Sequence, residues 1–276
     1  MRRHRRDPPV PAGPGGPRRT VGGAAGRPGA VVLATTTPDL PPGARSLEEL
    51  LRPPPPVAWT RRHGVEQLRL LGAWLRRLHG TAPEMVPATA GVVPDAVQLA
   101  EEAGAWAGLG PLEDVHAASL QRWSARLVAD GRLGHGRLAL DRILACEAPA
   151  PARLVVDAAG GLATVHPAVD VGWVTGDLIA LLHQARAAGE DPAPFERLLN
   201  AFSTGYRTSR PGNGPDALDV VRAAAIRLAL RASSRTESDE RSLALNVARH
   251  LVEHCWSVGG LERPASPPQS GDGTGW

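Results

Sequence analysis

The stretch from His135 to Asp177 constrains this chain more than any other part of it. It opens on a glycine-containing turn, HGRLALDR, and runs into ILAC, which is apolar enough for a buried strand. A Pro/Ala-rich link, EAPAPAR, separates that strand from a second one, LVVD, ending on Asp157. Apolar runs this short, bounded by Pro and Gly, fit buried strands better than helices. A loop then leads to an amphipathic helix from about Val174. A loop, two short strands and a terminal acid together aim polar groups into one cleft.

The rest of the chain reads as helical. Val65, Leu68, Leu71, Leu75 and Leu78 recur at three- and four-residue intervals and make one apolar face, with Gly80 as the stop. Asp95 predicts a helix through about Trp106, and Pro111 another through about Ala129, ended by Gly131. Further helices are expected over Val174–Ala188, Pro194 to about Thr208, Asp216–Ala232 and Ser238–Val258. Ala30–Thr35 reads as a lone strand, Ser46–Leu51 as one helical turn, and Pro53–Pro56 as polyproline II. The fold class is therefore α+β, mostly helical. Residues 1–29 and 261–276, rich in Pro and Gly with Arg or Ser, are expected to be disordered.

Composition narrows the function classes. At 276 residues the chain is long enough for a sizeable core. No apolar run approaches the roughly 18 residues that span a bilayer, so a membrane role is not expected. Pro and Gly follow the basic N-terminus where a signal peptide needs apolar residues, and a cytoplasmic setting is expected. The net charge is +3, with no basic stripe interleaved with aromatics beyond the first residues, so nucleic acid is not an expected partner. All 31 basic residues are Arg, which removes chemistry that needs a lysine amine. Cys146 and Cys255 lack metal-ligand spacing and read as small buried hydrophobes.

His135–Leu144 (HGRLALDRIL) resembles the catalytic loop H-G-D-L-x-x-x-N-[IV]-L of the aminoglycoside and choline phosphotransferases. Val155–Asp157 resembles the strand whose final Asp holds the metal in that family. Asp170–Leu178 (DVGWVTGDL) is similar to the D-[IV]-G-x-x-x-G-[ND]-L stretch of methylthioribose kinases. Leu71–His79 (LGAWLRRLH) looks like the family helix ending in L-x-x-L-H. The pieces come in the family's order over roughly residues 64–258. The resemblance implies a protein-kinase-like C-lobe over 64–260, with 30–63 as the remnant of a reduced or absent N-lobe.

It also implies roles. The family's base Asp stands here as Arg137, and its Asn as Arg142, while the metal Asp is kept as Asp157. Guanidinium stays charged at any working pH and cannot accept a proton. Phosphoryl transfer is mostly metal, cations and positioning, so these replacements strike at its base and its metal site. No lysine exists to hold nucleotide phosphates. His135, Gly136 and Asp170 are expected to build the loop, with Asp170 fastening it from beneath. Asp157 is expected either to hold a cation or, with Arg137 and Arg142 nearby, to be salt-bridged. The leading expectation is a catalytically inactive relative whose Arg137 and Arg142 bind an anionic small molecule or a partner protein, with no cofactor. The alternative is a divergent phosphotransferase acting on a small molecule or peptide, in a specialised-metabolite pathway by analogy with the family's range. It would use ATP and Mg, with Asp141 as the candidate catalytic residue from a shifted loop.

Other constellations have plainer readings. His250, Glu253 and His254 match H-x-x-E-H, but no following helix carries further acidic ligands, so a solvated helix is expected. Ser119 and Ser124 sit on a helix without a G-x-S-x-G elbow. Trp74 and Trp173 fall on apolar helical faces and are expected in the core.

Overall fold

The computed structural model describes residues 31–34, 44–52, 63–81, 110–128, 131–146, 154–158, 162–208 and 214–259. The terminal tails, the Pro53–Pro56 run and the helix expected over 95–106 lie outside these residues.

The sheet grows outward from a central hairpin. Strands β4 (Ile143–Cys146) and β5 (Leu154–Asp157) pair antiparallel, with Ile143 opposite Val156. Their inward side chains Ile143, Ala145, Leu154 and Val156 are almost wholly buried. Two N-terminal strands flank this hairpin. β1 (Val31–Ala34) runs parallel to β5, bringing Ala34 opposite Asp157. β2 (Ala44–Ser46) runs antiparallel to β4. The strand expected to stand alone over 30–35 is thus one edge of a four-stranded sheet, in the order β1-β5-β4-β2. A lone strand leaves its backbone groups unpaired, and the exposed edge of β5 supplies the missing partners.

A second small sheet joins β3 (Arg132–Gly134) to β6 (Ala163–Val165). Four strands therefore lie between residues 132 and 165, where two were expected. Each of the added strands is three residues long, too short for alternation to register.

Helix α1 (Leu47–Leu51) is short but well closed. Ser46 Oγ accepts the Glu49 N–H at 3.1 Å and the Ser46 N–H donates to Glu49 Oε2 at 3.2 Å, a capping box. Its Leu47, Leu50 and Leu51 are fully buried against the same core as β4 and β5. Helices α2 (Val65–His79), α3 (Asp114–Val128), α4 (Pro167–Ala187), α5 (Ala193–Thr208), α6 (Ala217–Ser233) and α7 (Ser238–Val258) complete the described chain. Among the described residues the architecture is α+β and mostly helical.

Two helix crossings fix the layers. α2 meets α5 where Gly72 faces the backbone of Phe202 and Tyr206, and Gly205 faces the backbone of Arg69. α4 crosses α6 where Gly172 and Gly176 lie against Ala223 and Ala224. Small residues at both crossings let the backbones approach closely. α4 begins earlier than expected, at Pro167 rather than Val174. His166 Nδ1 accepts the Ala168 N–H at 3.2 Å, and Pro167 opens the first turn, so the helix takes in Asp170. Trp74 and Trp173 are core residues, 3% and 0% exposed.

Candidate functional site

The segment from His135 to Arg142 is held from below by two buried carboxylates of α4. Asp170 and Asp177 are seven residues apart, two helical turns, and so share one face. Asp170 Oδ2 accepts the His135 N–H at 2.7 Å and Oδ1 accepts the Gly136 N–H at 2.8 Å. Gly136 has φ +78°, a conformation that a side chain at this position would strain. Asp177 Oδ2 accepts the Leu140 N–H at 2.9 Å. A Leu140–Arg142 3₁₀ turn then leads directly into β4.

His135 ties the same loop to β5. Its Nε2 lies 2.7 Å from the carbonyl of Asp157, and its Nδ1 accepts the Arg137 N–H at 3.2 Å. A carbonyl only accepts and a backbone N–H only donates, which assigns the Nε2–H tautomer. With both ring nitrogens bonded to backbone, His135 positions the loop.

Behind Asp170, His79 Nε2 lies 3.1 Å from Oδ2, and His79 Nδ1 is 2.8 Å from the Tyr206 hydroxyl. Burial by itself would push the Asp170 carboxyl up, but the hydrogen bonds from His79 and from the His135 backbone outweigh it and hold it below the usual carboxylate range. Asp177 follows the same logic. Burial raises it, and the guanidiniums of Arg227 and Arg231 more than reverse the effect. Arg227 binds it through Nε at 2.8 Å and Nη2 at 3.2 Å, and Arg231 through Nη1 at 3.4 Å. Burial of the Tyr206 phenol pushes it up.

The chemistry-bearing positions lie on the upper side of this framework. Arg142 Nη1 stands 3.7 Å from Asp157 Oδ2, with both side chains about one-third exposed (37% and 33%). Arg137 is half-buried, and Asp141 is exposed. The turn parts Asp141 from its neighbour. Asp141 lines a cleft of about 400 Å³ with α1 and α6, and Arg142 does not.

A divalent cation at Asp157 would need a neutral or anionic second ligand where Arg142 stands. The guanidinium beside the carboxylate supplies positive charge instead, so these residues as arranged do not fit a magnesium ion. Among the described residues no group of three or more His, Cys, Asp or Glu side chains converges as a metal site. His250 and His254 are exposed on α7. Glu253 points to the buried His116, Oε1 to Nε2 3.6 Å. The hydroxyls of Ser119 and Ser124 are buried and donate to carbonyls one turn back, of Val115 and Leu120. No helix is long and apolar enough to cross a membrane among the described residues.

Asp177, Arg227, Arg231 and Glu48 were not singled out from sequence. The signal for Asp177 was present: a second acid seven residues after Asp170 in an otherwise apolar helix. Its arginine partners lie about fifty residues downstream on α6, where no local pattern points to them.

No protein-family model matches the chain, and no curated protein matches it. Among solved structures, it is similar to a glucosamine kinase in one crystal form, with a TM-score of 0.42 and 20% identity over 80% of this chain and 57% of that one. A glucosamine kinase in complex with glucosamine, ADP and inorganic phosphate gives a TM-score of 0.40 and 20% identity, over 80% of this chain and 58% of that one. The chain thus spans less than three-fifths of the length of these kinases.

Proposed function

We propose that this chain keeps the loop of a kinase-like phosphotransferase as a binding element, and that Arg137 and Arg142 take an anionic group there, from a small molecule or a partner's acidic surface. The observation that supports this is the Arg142–Asp157 contact. A single 3.7 Å approach leaves most of a five-donor guanidinium available, on a loop whose backbone is fixed by Asp170, Asp177 and His135. Pre-fixed donors favour oxyanion capture, because less freedom is lost on binding. Neither arginine can act as a general base, so binding without phosphoryl transfer is the consistent chemistry.

Isothermal titration with inorganic pyrophosphate tests it. Binding in the wild-type chain that Arg137→Ala and Arg142→Ala each weaken about tenfold supports the reading, as expected for a lost charge-assisted bond. Equal binding by all three proteins sinks it.

The second reading is ATP-dependent phosphotransfer. What favours it is that Asp157 stands at the end of β5 with a third of its side chain open to solvent. That reading requires Arg142 to swing away and Asp141 to approach the reacting hydroxyl. Tight Mg-ATP binding abolished by Asp157→Ala, with label appearing in an acceptor, would establish it over the first.

A further inference from the structure

The Asp157 carboxylate does not fit a magnesium ion, and its position gives it a different effect on the anion-binding loop. The backbone around it is firmly placed. β5 pairs with β4 along one edge and with β1 along the other, where Asp157 lies opposite Ala34. The Asp157 carbonyl is also 2.7 Å from His135 Nε2, which ties the strand end to the loop. The carboxylate hangs from this point on a short side chain, whereas Arg142 carries its charge on a long, partly exposed one.

Among the described residues Arg142 makes one ion pair, to Asp157, and its guanidinium makes no hydrogen bond. The 3.7 Å separation lies beyond hydrogen-bonding distance, so Asp157 holds Arg142 by charge rather than by directed bonds. The adjacent carboxylate, Asp141, lines the cleft beside α6 and acts on Arg227. Asp157 is thus the acid that meets the Arg142 charge. An oxyanion arriving at Arg142 finds a carboxylate already there, and like charges about 4 Å apart repel even in a largely aqueous setting. The ligand must draw Arg142 away from Asp157 or share it against that repulsion, and either course costs affinity. An orienting role would need directed bonds from Asp157 to the guanidinium, which the observed approach does not supply.

We infer that Asp157 is a built-in competitor of the anion site, an autoinhibitory carboxylate that holds Arg142 until a ligand displaces it. The inference rests on the reading of Arg137 and Arg142 as the anion-binding pair, and it fixes the sign of the Asp157 effect. A residue that holds a metal for phosphoryl transfer loses binding when its charge is removed, whereas a competitor gains it.

Calorimetric titration of the full chain with inorganic pyrophosphate, at fixed ionic strength and without divalent metal, tests this as a double-mutant cycle over Asp157→Asn and Arg142→Ala. Asp157→Asn should bind about two- to fivefold more tightly than the wild-type chain, the scale of one partly exposed ion pair. The gain should be mostly lost in the Arg142→Ala background, where Asp157 has no guanidinium to hold. Asp157→Ala should repeat the gain, so a folding defect in either variant, seen in its melting midpoint, leaves the other to decide. A gain of equal size in both backgrounds would show plain repulsion at a distance and overturn the inference. Unchanged or weaker binding on removal of the carboxylate would overturn it too, while leaving the anion site standing. If Arg142→Ala binds as tightly as the wild-type chain, the anion-site reading and this inference fall together.

Discussion

Arg142 rests its guanidinium 3.7 Å from the Asp157 carboxylate at the mouth of the loop, in a contact that solvent shares. Partly exposed pairs of this kind stabilise a fold by less than about 1 kcal/mol. Arg142→Ala should therefore leave the urea midpoint almost unchanged while weakening anion binding. A loss of several kcal/mol would mean that the pair holds the fold together and is not available to a ligand.

Asp177 stands at the opposite extreme. It joins the loop, α4 and α6 through Leu140, Arg227 and Arg231, with no exposed surface. Asp177→Ala strands buried guanidinium charge and should cost about 3–5 kcal/mol in chemical denaturation. A cost below about 1 kcal/mol would show that water replaces the carboxylate freely.

The same two acids set the acid limb of stability. Asp170 and Asp177 are both held below their ordinary range when folded. A carboxyl depressed in the folded state contributes stability above its unfolded value, near pH 4, and loses it as pH falls through the lower folded value. Stability should be flat in these groups from pH 7 to about 5 and fall steeply below about 4. Asp177→Asn should flatten that fall in a series of urea melts. A variant with the wild-type slope would remove Asp177 from the account.

The α2–α5 crossing depends on Gly205. A Cβ there would overlap the Arg69 carbonyl, which is helix backbone and cannot swing aside. Gly205→Ala should destabilise by about 1–3 kcal/mol, the range for overpacking, despite alanine's better helix propensity. A gain in melting temperature would show that the helices separate at little cost.

Burial pushes the Cys255 thiol up to about 11, and the side chain is closed off inside α7. At pH 8 almost no thiolate is present to react. The peptide containing Cys255 should resist alkylation in the native protein and label fully in denaturant. Native labelling within minutes would reveal an opening of α7.

The helices were legible because their apolar residues recur every three or four positions and their ends carry Gly, Pro or Asp. Ser238–Val258 emerges from sequence with the bounds it has in the fold. The start of α4 was missed because Val169, Val171 and Val174 look equally at home in a strand or loop, and only the His166–Pro167 cap decides. β1 was seen as a strand but not paired, since nothing local in VVLA names β5 as its partner. In the loop, His135 and Asp170 could be read from their motif. That Asp141 lines the cleft beside α1 and α6 while the adjacent Arg142 stands beside Asp157 depends on a 3₁₀ turn whose pitch no residue pattern announces.

The parallel pairing of β1 with β5 also orders events in time. Val31 meets Leu154, about 120 residues later in the chain. During synthesis the strand emerges early and has no sheet to join until the ribosome has passed β5. Loop closure over that span is slow relative to helix formation. The helices α2 and α3 can form in the interval, and the apolar VVLA segment needs shielding until its partner arrives.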